Sequence, residues 1–179
     1  MPASLTTERM NRIFPSLFLS GALLTSCADF SNRVYRYGEE VPVQPFVLKL
    51  TQTEYGLQDN QLVLKLTLQA ANRSNDENNL SRNRFVLRVG QSREIKRDLT
   101  FLESLGMETI SFKKGEDATV TVSFVLSQDS LQEKFALIVD RQPKDGRELL
   151  TLIQVKDASP PKSLPTQGEW RIARSTRWG

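Results

Sequence analysis

From Phe46 onward, apolar and polar side chains take turns along the chain. Phe46, Leu48 and Leu50 fall on one side of an extended backbone, with Lys49 and Thr51 among the residues on the other, which is the period-two signature of a half-buried strand. Leu62, Leu64, Leu66 and Leu68 repeat at every second position against Val63, Lys65, Thr67 and Gln69. On a helix leucines so spaced would spread around the cylinder, whereas on a strand they form one wall. Tyr55 to Asn60 supplies the turn residues between these two runs. Phe85, Leu87 and Val89 open another alternating segment that Gly90 ends, and Arg93 to Leu99 reads as a weaker strand. Thr109 to Phe112 ends a strand, and Lys113 to Asp117 makes a tight turn. Val120, Val122 and Phe124 then alternate with Thr119, Thr121 and Ser123, giving a strand with one wet face. Phe135, Leu137 and Val139 alternate in the same way, Pro143 to Gly146 turns the chain, and Leu150, Leu152 and Ile153 lead into Val155. Ser130-Leu131-Gln132-Glu133 has capping-box spacing and predicts a single helical turn after it. Phe101 to Met107 reads as a short helical turn or as an irregular crossing.

About seven short strands with turn signals between them predict an all-β fold, an immunoglobulin-like antiparallel β-sandwich over residues 46–157. Its expected core includes Leu64, Leu66, Leu87, Val122, Phe124, Leu137 and Val139. Residues 27–45 are polar and carry Pro42 and Pro45, so they read as an extended tether; the alternative is that Val34, Tyr35 and Tyr37 form a first edge strand. Residues 158–168 are rich in proline and serine and read as a linker. The final stretch, within residues 158–179, gathers Trp170, Arg171, Arg174, Arg177 and Trp178 as candidate interaction residues, since tryptophan and arginine suit a membrane interface or a partner's pocket. The competing expectation is a tail folded back as an edge strand with Trp170 and Ile172 inward.

The start of the chain changes the picture. Arg12 precedes an apolar run from Ile13 to Leu24, small residues Gly21 and Ala22 follow within it, and Leu24-Thr25-Ser26-Cys27 closes it with the only cysteine. This resembles a bacterial lipobox. The resemblance implies cleavage by signal peptidase II before Cys27, lipid on Cys27, and a signal peptide over residues 1–26. Met1 to Glu8 is polar, and reading from Met10 restores the short basic start that a signal peptide has. The apolar run, broken by Pro15, Ser16 and Ser20, falls short of the roughly 20 residues a spanning helix needs. The alternative is a buried core helix with a structural cysteine. Each buried lipid methylene contributes about 0.8 kcal/mol, and two or more chains make anchoring stable. Ala28 stands where an aspartate would signal inner-membrane retention, which favours the outer membrane of the bacterial cell envelope. Export permits disulfides, yet the single cysteine is the one the lipid would occupy, so packing must hold the core.

A second resemblance rests on the order of motifs from Phe46 to Gln142. A Leu62-rich strand ends in Ala71-Asn72-Arg73-Ser74, Phe85-Val86-Leu87 follows, and Lys114-Gly115-Glu116 leads to Val120-Thr121-Val122-Ser123-Phe124. This is similar to the uncharacterised immunoglobulin-like domain of bacterial surface lipoproteins, which carries an asparagine-serine pair after its second strand and a Gly-Glu turn before a later one. The resemblance implies a fold and lends no activity.

Composition narrows the chemistry. The net charge is +3 with both signs interspersed, which gives no basic stripe for a nucleic-acid partner. There is no histidine, so the commonest general base and most zinc sites are missing. Ser111-Phe112-Lys113-Lys114 spells S-x-x-K, but it closes a strand and lacks the partner motifs of penicillin-binding proteins. Residues 72–79 group Asp76 and Glu77 with asparagines, oxygen donors of the kind calcium takes, without the spacing of a calcium loop. Asn79-Leu80-Ser81 and Arg84 are faintly similar to the peptidoglycan-binding motif of outer-membrane-protein-A-like domains, with the asparagine displaced. The expectation is therefore no catalytic residue, no cofactor and no metal. It is a non-catalytic envelope lipoprotein, membrane-bound through its lipid and acting on an envelope protein partner as a binding or assembly accessory. The alternatives are a glycan hydrolase built on a carboxylate pair and a purely structural spacer.

Overall fold

The computed structural model describes residues 32–97, 108–156 and 164–176. Within them lie twelve strands: β1 (Arg33–Tyr35), β2 (Glu40–Val43), β3 (Phe46–Gln58), β4 (Gln61–Asn72), β5 (Asn78–Ser81), β6 (Val86–Val89), β7 (Arg93–Lys96), β8 (Thr109–Phe112), β9 (Asp117–Leu126), β10 (Phe135–Lys144), β11 (Arg147–Lys156) and β12 (Trp170–Ser175). They form a β-sandwich. One sheet, sheet I, has the order β1-β11-β10-β6-β7; the other, sheet II, has the order β12-β3-β4-β9, with β2 also on β3. A two-stranded ribbon, β5-β8, completes the set. Pairing is antiparallel throughout except between β1 and β11, which run parallel. Among the described residues no helix is long and apolar enough to cross a membrane.

The alternating positions of both sheets meet in one core. Leu64, Leu66, Leu87, Val122, Phe124, Leu137 and Val139 are all fully buried in it. Phe46 and Phe112 meet edge-to-face at 5.2 Å, a geometry that places the positive edge of one ring on the negative face of the other.

β3 changes phase partway. Its register against β4 slips between Leu50 and Gln52, leaving Thr51 as the extra residue of a bulge. Before the bulge Phe46, Leu48 and Leu50 point inward; after it Thr53 and Tyr55 do. The strand therefore continues to Gln58, and the expected turn over Tyr55 to Asn60 shrinks to Asp59 and Asn60. Both have positive φ, 47° and 60°, the backbone a two-residue hairpin of right-handed twist requires.

Two further expectations are corrected. The stretch read as a tether contains β1 and β2, with Val41 and Val43 buried, so the sandwich begins before Phe46 and the edge-strand alternative for Val34 and Tyr35 holds. The helical turn near Ser130 is a short 3-10 segment, Gln128–Gln132, capped at Ser127 and ended by Glu133. It lies before Glu133, with Ser130 buried inside it and the Ser130 hydroxyl 2.7 Å from that of Ser127. Phe101 to Met107, the signal-like run and Cys27 lie outside the described residues.

Candidate interaction surfaces

The loop over residues 72–79 is closed on itself. Asn72 is fully buried, and its Nδ2 donates to the carbonyls of Asp76 (2.8 Å) and Lys113 (3.0 Å). Its Oδ1 accepts from the Ser74 backbone N–H at 3.1 Å. Asn78 Nδ2 donates to Ser74 Oγ at 2.6 Å and to the Asp76 carbonyl at 3.0 Å. The loop's Asn72 Oδ1 and Asp76 backbone carbonyl are thus engaged within the loop itself. Among the described residues no group of acids or cysteine is placed to hold a metal ion. Ser111 lies on β8 and donates to Asn79 Oδ1 at 2.7 Å, which ties the ribbon together.

The C-terminal stretch is an edge strand. β12 occupies the same free edge of β3 that β2 uses further along. Trp170 lies flat over Gly56, where a Cβ would stand 2.7 Å from the indole; only glycine admits the ring so close to the backbone. Lys65 Nζ sits 4.2 Å from the indole centroid and 3.0 Å from Glu54. Arg171 pairs with Glu169 at 2.7 Å. That pairing first, and the Thr166 N–H second, hold the Glu169 carboxyl down at about 2. Arg174 stacks 4.3 Å from the Tyr37 centroid, and the Tyr37 hydroxyl donates to the Arg174 carbonyl at 2.9 Å. Ile172, expected inward, is 62 % exposed, and the register of β12 on β3 slips between it and Arg174. Trp170, Arg171 and Arg174 are therefore engaged with the fold itself. Arg177 and Trp178 lie outside the described residues.

Sheet I carries a feature the alternation did not reveal. Leu137, Val139, Ile153 and Val155 face the core, while Ile138, Leu150 and Leu152, with Val86 and Ala136, form a second apolar cluster apart from it. The run Leu149 to Ile153 carries apolar residues in both phases, Leu149 and Ile153 in one and Leu150 and Leu152 in the other, so periodicity cannot tell a one-faced strand from a two-faced one. Beside this cluster lies a groove of about 270 Å³. Val34, Ala136 and Leu152 give it an apolar floor, and Arg88, Lys134 and Lys156 give it three cations. None of the described residues lining it is acidic. Arg88 reaches Glu94 only at 3.7 Å. Lys156 donates to the Leu131 carbonyl and lies 5.0 Å from the Phe135 ring; burial lowers its pKa. Val34, at the groove's edge strand, is 56 % exposed.

Neither a family model nor a curated protein matches the chain. Among solved structures, yjhA of Bacillus subtilis is similar at TM-score 0.48 and 12% identity, over 68% of this chain and 99% of that one. An uncharacterized β-sandwich protein of Clostridium difficile 630 follows at 0.47 and 9%, over 70% and 95%. A Bacillus subtilis protein described as a "putative lipoprotein (ycdA)" gives 0.46 and 18%, over 64% of this chain and 38% of that one. These are distant likenesses of fold, and none carries an activity to this chain.

Proposed function

We propose that the protein is a non-catalytic binding module of the bacterial cell envelope, anchored through lipid on Cys27 and docking an envelope protein on the outward face of sheet I. One observation carries the docking half of this reading: a groove on the outside of the sandwich, beside the buried Ile138, Leu150 and Leu152 cluster, with Val34 exposed at its edge, three cations around it and no acid among the described residues that line it. The outer face of a sandwich is ordinarily polar, and apolar surface with a polar rim marks interaction sites. The partner's matching segment carries acidic side chains flanking apolar ones, since complementary charge sets register and approach. The glycan hydrolase reading needs two acids facing across a cleft. Glu94 and Glu148 do come together, but on the guanidinium of Arg141, at 2.5 and 3.0 Å, and at the surface.

Two experiments test the halves separately. Intact mass of the membrane-extracted protein is expected to match a chain beginning at lipidated Cys27, and Cys27→Ser is expected to move it to the soluble fraction; an unmodified full-length mass would sink the anchor. For docking, a photo-crosslinking residue at Val34 in the native envelope is expected to yield one discrete protein adduct, and the same residue at Lys114 in the opposite turn none. Lys134→Glu should cut the Val34 adduct about tenfold, equivalent to about 1.4 kcal/mol of lost complementarity. Equal adducts at both positions, or an adduct indifferent to Lys134→Glu, would overturn it.

A further inference from the structure

A second depression, of about 450 Å³, lies between the β5–β8 ribbon and sheet I, and it shares none of its described lining residues with the groove above. Leu80 on β5 is buried in the core, so Asn79 and Ser81 on either side of it point the other way, as alternate residues of a strand must. Both line the depression. The 3-10 turn Arg82–Arg84 adds Asn83 and Arg84, and β10 adds Asp140 and Arg141. Val86 on β6 is the only apolar residue among the described ones around it. The volume falls within the range of about 300–1,000 Å³ usual for small-molecule sites.

The charges of this site are matched within the fold. Arg84 donates from Nη2 to Asp140 Oδ1 at 2.9 Å and from Nε to the Val139 carbonyl at 3.0 Å. Asp140 Oδ2 accepts from Gln142 Nε2 at 2.9 Å, and Arg141 is held by Glu94 and Glu148. What remains is neutral hydrogen-bonding capacity in set orientations. Asn79 Oδ1 accepts from the Ser111 hydroxyl at 2.7 Å, which leaves its Nδ2 to donate. Ser81 Oγ accepts from the Asn83 backbone N–H at 3.3 Å, which leaves its own hydroxyl proton to give. The side-chain amide of Asn83, exposed on the turn, has no partner among the described residues and can both donate and accept. A ligand carboxylate could only accept and would meet Asp140, whereas a ligand ammonium could only donate and would meet Arg84 and Arg141. Like charges brought together in this way are costly. A ligand hydroxyl gives and takes at once and carries no charge. We infer that this depression is a binding site for a neutral saccharide, whose hydroxyls bond the amides of Asn79 and Asn83 and the Ser81 hydroxyl while a C–H face of the ring rests on Val86. The site stands apart from the docking groove and does not depend on it.

Saturation-transfer NMR of the full chain with maltotriose, and separately with triacetylchitotriose, tests the site. At least one of these neutral trisaccharides is expected to give a signal that saturates with concentration. Preference for maltotriose would identify a free unsubstituted sugar as the ligand, and preference for the acetamido sugar a glycan of the cell wall. Asn83→Ala should weaken the binding about tenfold, about 1.4 kcal/mol by the usual conversion, with Tm unchanged, since this exposed side chain bonds nothing in the fold. Lys134→Glu, in the docking groove, should leave it unaltered, so that failure of the docking reading and failure of this site are told apart. No saturable signal from either trisaccharide, or a signal undiminished by Asn83→Ala, would overturn the site. So would a loss in Lys134→Glu, which would put the sugar in the other groove, or tighter binding of glucuronate or protonated glucosamine than of both neutral sugars.

Discussion

Phe124→Ala is expected to destabilise the sandwich by about 3–5 kcal/mol, the range for removing a buried aromatic ring. Phe124 is fully buried on β9. It stands opposite Leu64 on β4, which stands opposite Tyr55 on β3, so one deletion opens a void against a layer shared by three strands. The void cannot close by collapse, because each neighbour is held by its own ladder of backbone hydrogen bonds. Against a total stability of about 5–15 kcal/mol for a domain of this kind, that is a large share. Equilibrium denaturation should show a lowered midpoint with an unchanged slope. A loss below about 1 kcal/mol would mean that Phe124 does not sit in a close-packed interior. Val34→Ala, at an exposed edge position, serves as the contrast and should stay within about 0.5 kcal/mol.

Asn72→Ala should cost about 2–4 kcal/mol, from leaving two or more buried polar groups unpaired at about 1–3 kcal/mol each. The side chain gives its amide protons to the Asp76 and Lys113 carbonyls and takes one from the Ser74 N–H. Its own N–H reaches the Glu116 carbonyl at 2.9 Å. The residue therefore fastens the 72–79 loop to the turn that launches β9. Hydrogen exchange should quicken over residues 73–79 and 113–116 in the variant, while β3 and β10 keep their protection. Unchanged exchange in both turns would show that Asn72 is a bystander. Asn72→Asp is expected to be worse than Asn72→Ala, because a carboxylate would face two carbonyls with no proton to offer.

The Asn72 clamp also shows how far the sequence could be read. The resemblance to surface lipoprotein domains pointed to an asparagine and a serine after the second strand, and the structure gives them their physical task. Nothing in the spacing could say that the Asp76 carbonyl and the Asn72 side chain meet each other and the turn at Lys113, since that depends on where the turn arrives. The tail is a parallel case. Its composition suits a membrane or a partner, and it equally suits an edge strand with Trp170 laid over Gly56. Only the pairing with β3 decides between them.

Alternation along the chain by itself determined the all-β class, the strands around Leu64, Leu87, Val122 and Leu137, and the residues that fill the core. It does so because side-chain direction in a strand is a local property with a period of two. The lipobox-like run ending at Cys27 is equally local. Tertiary structure alone decided the rest, because it concerns neighbours and not faces. Arg33 pairs with Thr151 across most of the chain. A bulge at Thr51 turns the inward phase of β3, and the second apolar face of sheet I appears only once β10 and β11 lie side by side.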